Sequence, residues 1–187
     1  LVRLWDTVQF NVHTNRYFKH PELLDKALET VTLKRVKDYR RQLYLTLKQI
    51  DYDYGRLSFN TVISGCMKIL NLVSRQSELW QRGDTEEEQR QVSAFAREGL
   101  SVLLRVLYPA CPHITHGLWT ELGFTKVMGD LLDAPWPQVD AGALVQDEIE
   151  LMLQVNGKLR GSIHVPAQAD KTEIERIALA SEAFVAH

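Results

Sequence analysis

The 187-residue chain is 45% hydrophobic with a formal net charge of −2, enough apolar material for a real core and too little positive charge for a wholly basic nucleic-acid binder. Arg105 interrupts the best apolar run, Ser101 to Leu107, and no signal-peptide pattern opens the chain, which points to a soluble intracellular protein rather than a membrane or secreted one. Charge is uneven, with +5 over residues 1–50, −1 over 51–110 and −6 over 111–187, so contact with a polyanion is expected in the first third.

Leu1, Leu4, Trp5 and Val8 open the chain inside an apolar helical pattern with no capping residue before it, the pattern expected of a segment of something longer. From about Leu33 to Ile50 a helix is predicted with Val36, Tyr39, Leu43, Leu47 and Ile50 on one face, by the 100° step of an α-helix. The next, from about Ser58, puts Phe59, Val62, Ile63, Cys66, Leu70 and Val73 on one side and Asn60, Ser64, Lys68 and Asn71 on the other. The period lapses between Arg75 and Asp84, after which Thr85-Glu86-Glu87-Glu88 makes a capping box with acid in the first turn. A third long helix then passes through Val92, Phe95, Ala96, Leu103 and Val106 to Pro109. Pro109 stops it, and Pro112 suits the first turn of a following helix through Ile114, Leu118, Trp119 and Leu122 to Gly123, so the prolines define a rigid elbow. Cys66 and Cys111 form no CxxC pair and sit in apolar helical surroundings, which reads as buried free thiols.

Ala134-Pro135-Trp136-Pro137 cannot be helical throughout, because each proline pushes the residue before it toward extended geometry. Glu148 to Val165 changes to period two around Asn156-Gly157, a β-hairpin. A plain two-residue turn would send its two apolar sets to opposite faces. Pairing Val155 with Leu159, Leu153 with Gly161, Leu151 with Ile163 and Ile149 with Val165 makes one face and predicts a three-residue turn or a bulge near Lys158. Lys171 to Val185 then reads as a helix offering Ile174, Ile177, Ala178 and Phe184 as cover. The predicted fold is mainly α: a helical bundle over 1–125, a connector over 126–145, and a truncated α+β module over 146–187, to which further strands are expected to belong.

The elbow Pro109-Ala110-Cys111-Pro112-His113-Ile114, with Leu118-Trp119 after it, resembles that of class I aminoacyl-tRNA synthetases, in the helical anticodon-binding domain that follows their catalytic core. Arg56-Leu57-Ser58-Phe59-Asn60-Thr61, Ala134-Pro135-Trp136-Pro137 and Val155-Asn156-Gly157-Lys158-Leu159-Arg160-Gly161 are similar, in this order and spacing, to bacterial-type leucyl-tRNA synthetases. Together these strings cover nearly the whole chain. The resemblance implies a parent enzyme, cytoplasmic and monomeric, that joins leucine to its tRNA with ATP and Mg in a catalytic domain elsewhere, and that hydrolyses mischarged products. This segment is expected to bind and orient leucine-specific tRNA, with no catalytic centre, metal or cofactor of its own; the HIGH and KMSKS signatures are absent. The equivalent domain of a valine, isoleucine or methionine synthetase is an alternative that the Asn-Gly hairpin argues against. A helical protein-interaction scaffold with no RNA role is another.

Two sets of residues are candidates for RNA contact. Lys34, Lys37, Arg41 and Lys48 fall within about 60° of one another on the helical wheel, with Arg40 flanking. Such a stripe is also the pattern of a solvated helix face; a phosphate backbone suits it because Lys and Arg gain affinity by releasing condensed counterions. Lys158 and Arg160 stand near the tip of the hairpin. His113 and His116 lack the further ligands that zinc needs and are assigned helix-start and packing roles. Asp51 and Asp53 are placed between helices as capping or solvated groups.

Overall fold

The structure, a computed structural model, describes residues 1–146, 148–155 and 158–181, and for 148, 155 and 158–160 the backbone alone. The apolar periods become α1 (Val2–Thr14), α2 (Arg16–Lys19), α3 (Lys34–Gly55), α4 (Phe59–Ser74), α5 (Glu86–Leu107), α6 (Pro112–Glu121), α7 (Thr125–Met128) and α8 (Lys171–Ala180), with strands β1 (Glu148–Val155) and β2 (Lys158–Pro166). The chain divides into two compact units, Leu1–Leu144 and Val145–His187.

In the first unit α3, α4 and α5 pack on one another, α6 lies against α5 and α1 against α4. Their shared core holds Leu43, Leu47 and Ile50 of α3, Cys66, Ile69 and Val73 of α4, Phe95, Leu100 and Leu103 of α5, and Trp119 of α6. Two glycines set how closely these helices approach. A Cβ at Gly65 would lie 2.5 Å from Ile50 Cγ1, and one at Gly99 would lie 2.6 Å from Val73 Cγ2. Burial, and then the neighbouring Cys111 thiol, push the Cys66 thiol up to about 12.

Local chemistry explains where the helices begin and end. The capping box at α5 is present, with Thr85 N–H donating to Glu88 Oε2 at 2.7 Å and Glu88 N–H to Thr85 Oγ1 at 3.3 Å. The start of α3 has no side-chain cap of its own; Gln91 Oε1, from α5, accepts from the Thr32 and Leu33 N–H groups at 3.0 and 3.2 Å. At the end of α6, Gly123 takes φ +75. Gly123 N–H donates to Thr120 O at 3.0 Å and Phe124 N–H to Trp119 O at 3.1 Å, while the Phe124 ring packs 4.7 Å from that of Trp119. Both bonds and the apolar contact are those of a Schellman motif.

In the first unit three expectations change. On α4 the buried row is Val62, Gly65, Cys66, Ile69, Leu70 and Val73, so Phe59 and Ile63 turn out to be exposed, with Met67 continuing their row. The close approach at Gly65 rotates the helix toward α3 and leaves that flank outside. Helix α3 runs on to Gly55, so Asp51 and Asp53 lie within it rather than between helices.

The third concerns the connector expected over 126–145, which is instead a strap docked on the bundle. Trp119 Nε1 donates to Gly129 O at 3.0 Å, Arg105 Nη1 to Pro135 O at 2.9 Å, and Trp136 Nε1 to Asp51 Oδ1 at 2.8 Å. Leu131 is buried in the core. The first unit therefore continues to Leu144.

In the second unit β1 and β2 are antiparallel, with Ile149 opposite Val165, Leu151 opposite Ile163 and Leu153 opposite Gly161, as parity requires. Beyond that point Gln154 pairs with Leu159 and Val155 with Lys158. The extra residue is thus Arg160, two residues further from the turn than the expected Lys158, and Val155 pairs with Lys158 rather than with Leu159. Asn156 and Gly157 lie outside the described residues, as does the helical extension from 182 to Val185. Ile163 and Val165 are buried, and Asp170 caps α8 by accepting from Glu173 N–H at 2.8 Å. Among the described residues no helix is long and apolar enough to cross a membrane.

Candidate nucleic-acid interface

The two sides of α3 carry charge in opposite ways. Val36, Leu43, Leu47 and Ile50 define its buried face, and Arg40 and Tyr44 sit on that flank, both buried. Arg40 Nε and Nη2 donate to the two oxygens of Glu98, each at 2.8 Å, and Nη2 also to Asp140 Oδ2 at 3.1 Å. Tyr44 Oη donates to Glu98 Oε1 at 2.7 Å. Burial opposes the charged form of Arg40, but the Glu98 carboxylate outweighs it and holds the guanidinium's pKa above its ordinary value. Burial, with Glu98 reinforcing it, raises the Tyr44 phenol. Arg40 was expected to hold a phosphate; at 8% exposed, with its fork occupied by two carboxylates, it joins α3, α5 and the strap instead.

The opposite side of α3 is exposed at Lys34, Lys37 and Lys48, with Arg41 half-buried. Lys34 and Lys37 each interact with other groups of the chain. The Nε of Arg41 is buried and meets no acceptor among the described residues. The same face holds Leu45 and continues past the end of the expected helix with Tyr52 and Arg56, all exposed. Arg56 Nη1 donates to Tyr52 Oη at 3.0 Å, and its guanidinium stands 5.4 Å from the ring centroid. Ending the predicted helix at Ile50 hid these two residues, although the 100° step carries straight on to them.

Other candidates resolve differently. Lys158 and Arg160 have backbone in β2, with Arg160 at the extra residue of the hairpin; their side chains lie outside the described set. His113 and His116 are exposed, not packed. His116 Nε2 lies 2.9 Å from Asp130 Oδ2, and this hydrogen bond is the main reason the Asp130 carboxyl is held below the usual range. Asp53 is buried and accepts from Gln49 Nε2 at 2.9 Å. No group of three or more His, Cys, Asp and Glu suited to a metal occurs among the described residues.

A separate cleft of about 710 Å³ is lined by Leu24, Leu28, Phe124 and Arg97, with Glu22, Asp25 and Glu29 also at its edge. The Arg97 guanidinium lies 4.4 Å from the Phe124 ring centroid. Four carboxylates, these three and Glu98, outnumber Lys26 and Arg97 in the lining and make the cleft a poor seat for a phosphate backbone. The outer face of α3 is the better one.

Residues 37–176 match the family described as the anticodon-binding domain of tRNA ligase, and the chain belongs to that family. Within it, the chain is 57% identical over 155 residues to the leucine–tRNA ligase of Paracidovorax citrulli, a match covering 82% of the chain and 16% of that protein. It is 60% identical over 145 residues to the leucine–tRNA ligase of Ralstonia pickettii, covering 77% of the chain and 15% of that protein. The chain thus spans about 16% of the length of the curated relatives it matches. Its fold is also that of part of a chain in the crystal structure of the ternary complex of Agrobacterium radiobacter K84 agnB2 LeuRS-tRNA-LeuAMS. There the TM-score is 0.66 at 22% identity, covering 98% of this chain and 22% of that one.

Proposed function

We propose that this chain is the tRNA-orienting segment of a cytoplasmic leucine–tRNA ligase, and that the outer face of α3 receives the phosphate backbone. The observation that carries this reading is Arg41: a half-buried guanidinium whose buried Nε has no acceptor among the described residues, on one helix face with Lys34, Lys37 and Lys48. The Nε itself is closed off from outside, so a phosphate oxygen would pair with the terminal nitrogens of the half-buried guanidinium in a charge-assisted hydrogen bond. Lys158 and Arg160 are assigned a second contact from the hairpin. Arg40 leaves the set. Leucine activation with ATP and Mg and the editing of mischarged tRNA belong to other parts of the parent. The contribution of this segment is placement, because a misdirected acceptor end slows the reaction it should enter.

The test is titration of leucine-specific tRNA against the intact protein at several salt concentrations. Each of Lys37→Ala, Arg41→Ala and Lys48→Ala is expected to weaken binding and to lower the slope of log K against log salt by about one unit. Wild-type slopes in all three would make the stripe an ordinary solvated face. A second reading is favoured by the exposed row Phe59, Ile63 and Met67 on α4: a protein-docking scaffold, which would bind its partner with little salt dependence.

A further inference from the structure

The outer face of α3 changes character toward its C-terminal end. Lys48, Tyr52 and Arg56 follow one another at i, i+4 and i+8, so they form a ladder on a single face. Tyr52 stands about five turns, or about 27 Å, beyond Lys34 along the helix axis. A cation, an aromatic ring and a second cation follow one another there, at the end of the proposed phosphate track.

The ring is presented rather than packed. Tyr52 is 57% exposed, and its hydroxyl is held by Arg56 Nη1 at 3.0 Å. Leu57, 72% exposed, takes φ +56, a left-handed conformation that is uncommon for a leucine. The neighbouring carboxylates keep their charge but lie about 100° to either side of Tyr52 on the helix, Asp51 accepting from Trp136 and the buried Asp53 from Gln49. Asp38 lies more than three turns from Tyr52 along α3, although within one turn of Arg41.

We propose that the Tyr52–Arg56 pair is a stacking site for one unpaired nucleobase of the RNA whose backbone runs along Lys48 and Arg41. The inference rests on the tRNA reading above and adds a contact of different physics. Phosphate contacts position a nucleic acid through charge, whereas an aromatic face or a guanidinium plane holds a splayed-out base by stacking. Bases inside a stem are already stacked on their neighbours, so the occupant is a base in a loop, a bulge or an end. The flanking cations favour this occupant over an apolar protein segment.

The experiment uses the intact protein and full-length tRNA, comparing Tyr52→Ala, Tyr52→Phe and Lys48→Ala across a salt series, with chemical probing of unpaired bases in each complex. Tyr52→Ala is expected to weaken binding about 5- to 150-fold, the range measured for loss of one stacked base. The salt slope should stay at the wild-type value, and one unpaired base shielded in the wild-type complex should become reactive. Tyr52→Phe keeps the ring and should bind within about twofold of wild type with the base still shielded. Wild-type affinity and an unchanged protection pattern in Tyr52→Ala would overturn the stacking site, as would a loss in Tyr52→Ala accompanied by the same slope change as Lys48→Ala. If Lys48→Ala lowers the slope while Tyr52→Ala does nothing, only the stacking site fails. If neither Lys48→Ala nor Arg41→Ala moves the slope, the RNA reading itself fails.

Discussion

Arg40 and Arg41 are neighbours in sequence and stand in opposite regions of one helix. Toward the core, Arg40 closes a buried network with Glu98, Tyr44 and Asp140. Outward, Arg41 has a buried Nε that no described residue satisfies. The contrast shows that charge on a helix wheel is not one kind of signal: the inner flank uses it to join α3, α5 and the strap, and the outer face carries it at exposed positions, where we propose that a ligand meets it. Removing charge should therefore cost stability on one side and binding on the other.

The largest effect is expected at Glu98. Glu98→Ala would leave the Arg40 guanidinium buried with only Asp140 beside it, a loss of about 3–5 kcal/mol in equilibrium unfolding. Glu98→Gln, which keeps one acceptor oxygen for Arg40 Nη2 and Tyr44 Oη but turns the other into an amide donor, should cost less. A Glu98→Ala protein as stable as wild type would erase the distinction between the two regions. Next comes the packing beneath the inner face: Gly65→Ala forces a methyl against Ile50 and is expected to cost about 1–3 kcal/mol, read as a lowered denaturation midpoint. On the outer face, Lys48→Ala should change stability by no more than about 0.5 kcal/mol while altering tRNA affinity.

The inner region should also respond to alkali. The folded-state pKa of Cys66 is raised to about 12 from an ordinary 9.0, and that of Tyr44 is raised above 10.0. Folding thus favours the protonated forms, and the stability they contribute is present below the unfolded values and falls as pH rises through 9 to 12. A Cys66→Val, Tyr44→Phe protein should show a flatter pH–stability curve in that window. The smallest effect is at the exposed His116–Asp130 pair. The lowered Asp130 pKa stabilises above its ordinary 3.8 and ceases to do so as pH falls below it, so His116→Ala should slightly flatten the acid limb of the same curve.

Much of this architecture could be read from local pattern. The capping box at Thr85, the proline elbow and the glycine at the end of α6 are decided by a few adjacent residues, and the apolar period of α5 is long enough to be unambiguous. Three of the four hairpin pairs followed from parity alone. What escaped depends on partners distant in sequence. Nothing near Arg40 marks Glu98 or Asp140 as its neighbours, so the residue looked like part of a stripe. The strap looked like a linker because prolines exclude helix but say nothing of docking. Phe59 and Ile63 were assigned to the core because the wheel does not show that Gly65 lets Ile50 in and turns α4. The end of α3 was a different kind of miss: the period through Tyr52 and Arg56 was there, but aspartates and tyrosines obscured it.

The strap bears on the far end of α3 in one more way. Trp136 grips Asp51 and lies edge-on to Tyr54 at 5.3 Å, while Tyr54 Oη donates to Val106 O at 2.7 Å. Asp51 and Tyr54, which bracket Tyr52, are thus fastened to the rest of the unit from behind, one to the strap and the other to α5 as well. A visitor to Tyr52 would meet a backbone that is already fixed and would have to still only the rotation of a side chain with two χ angles, so little of the contact is lost to ordering the receptor.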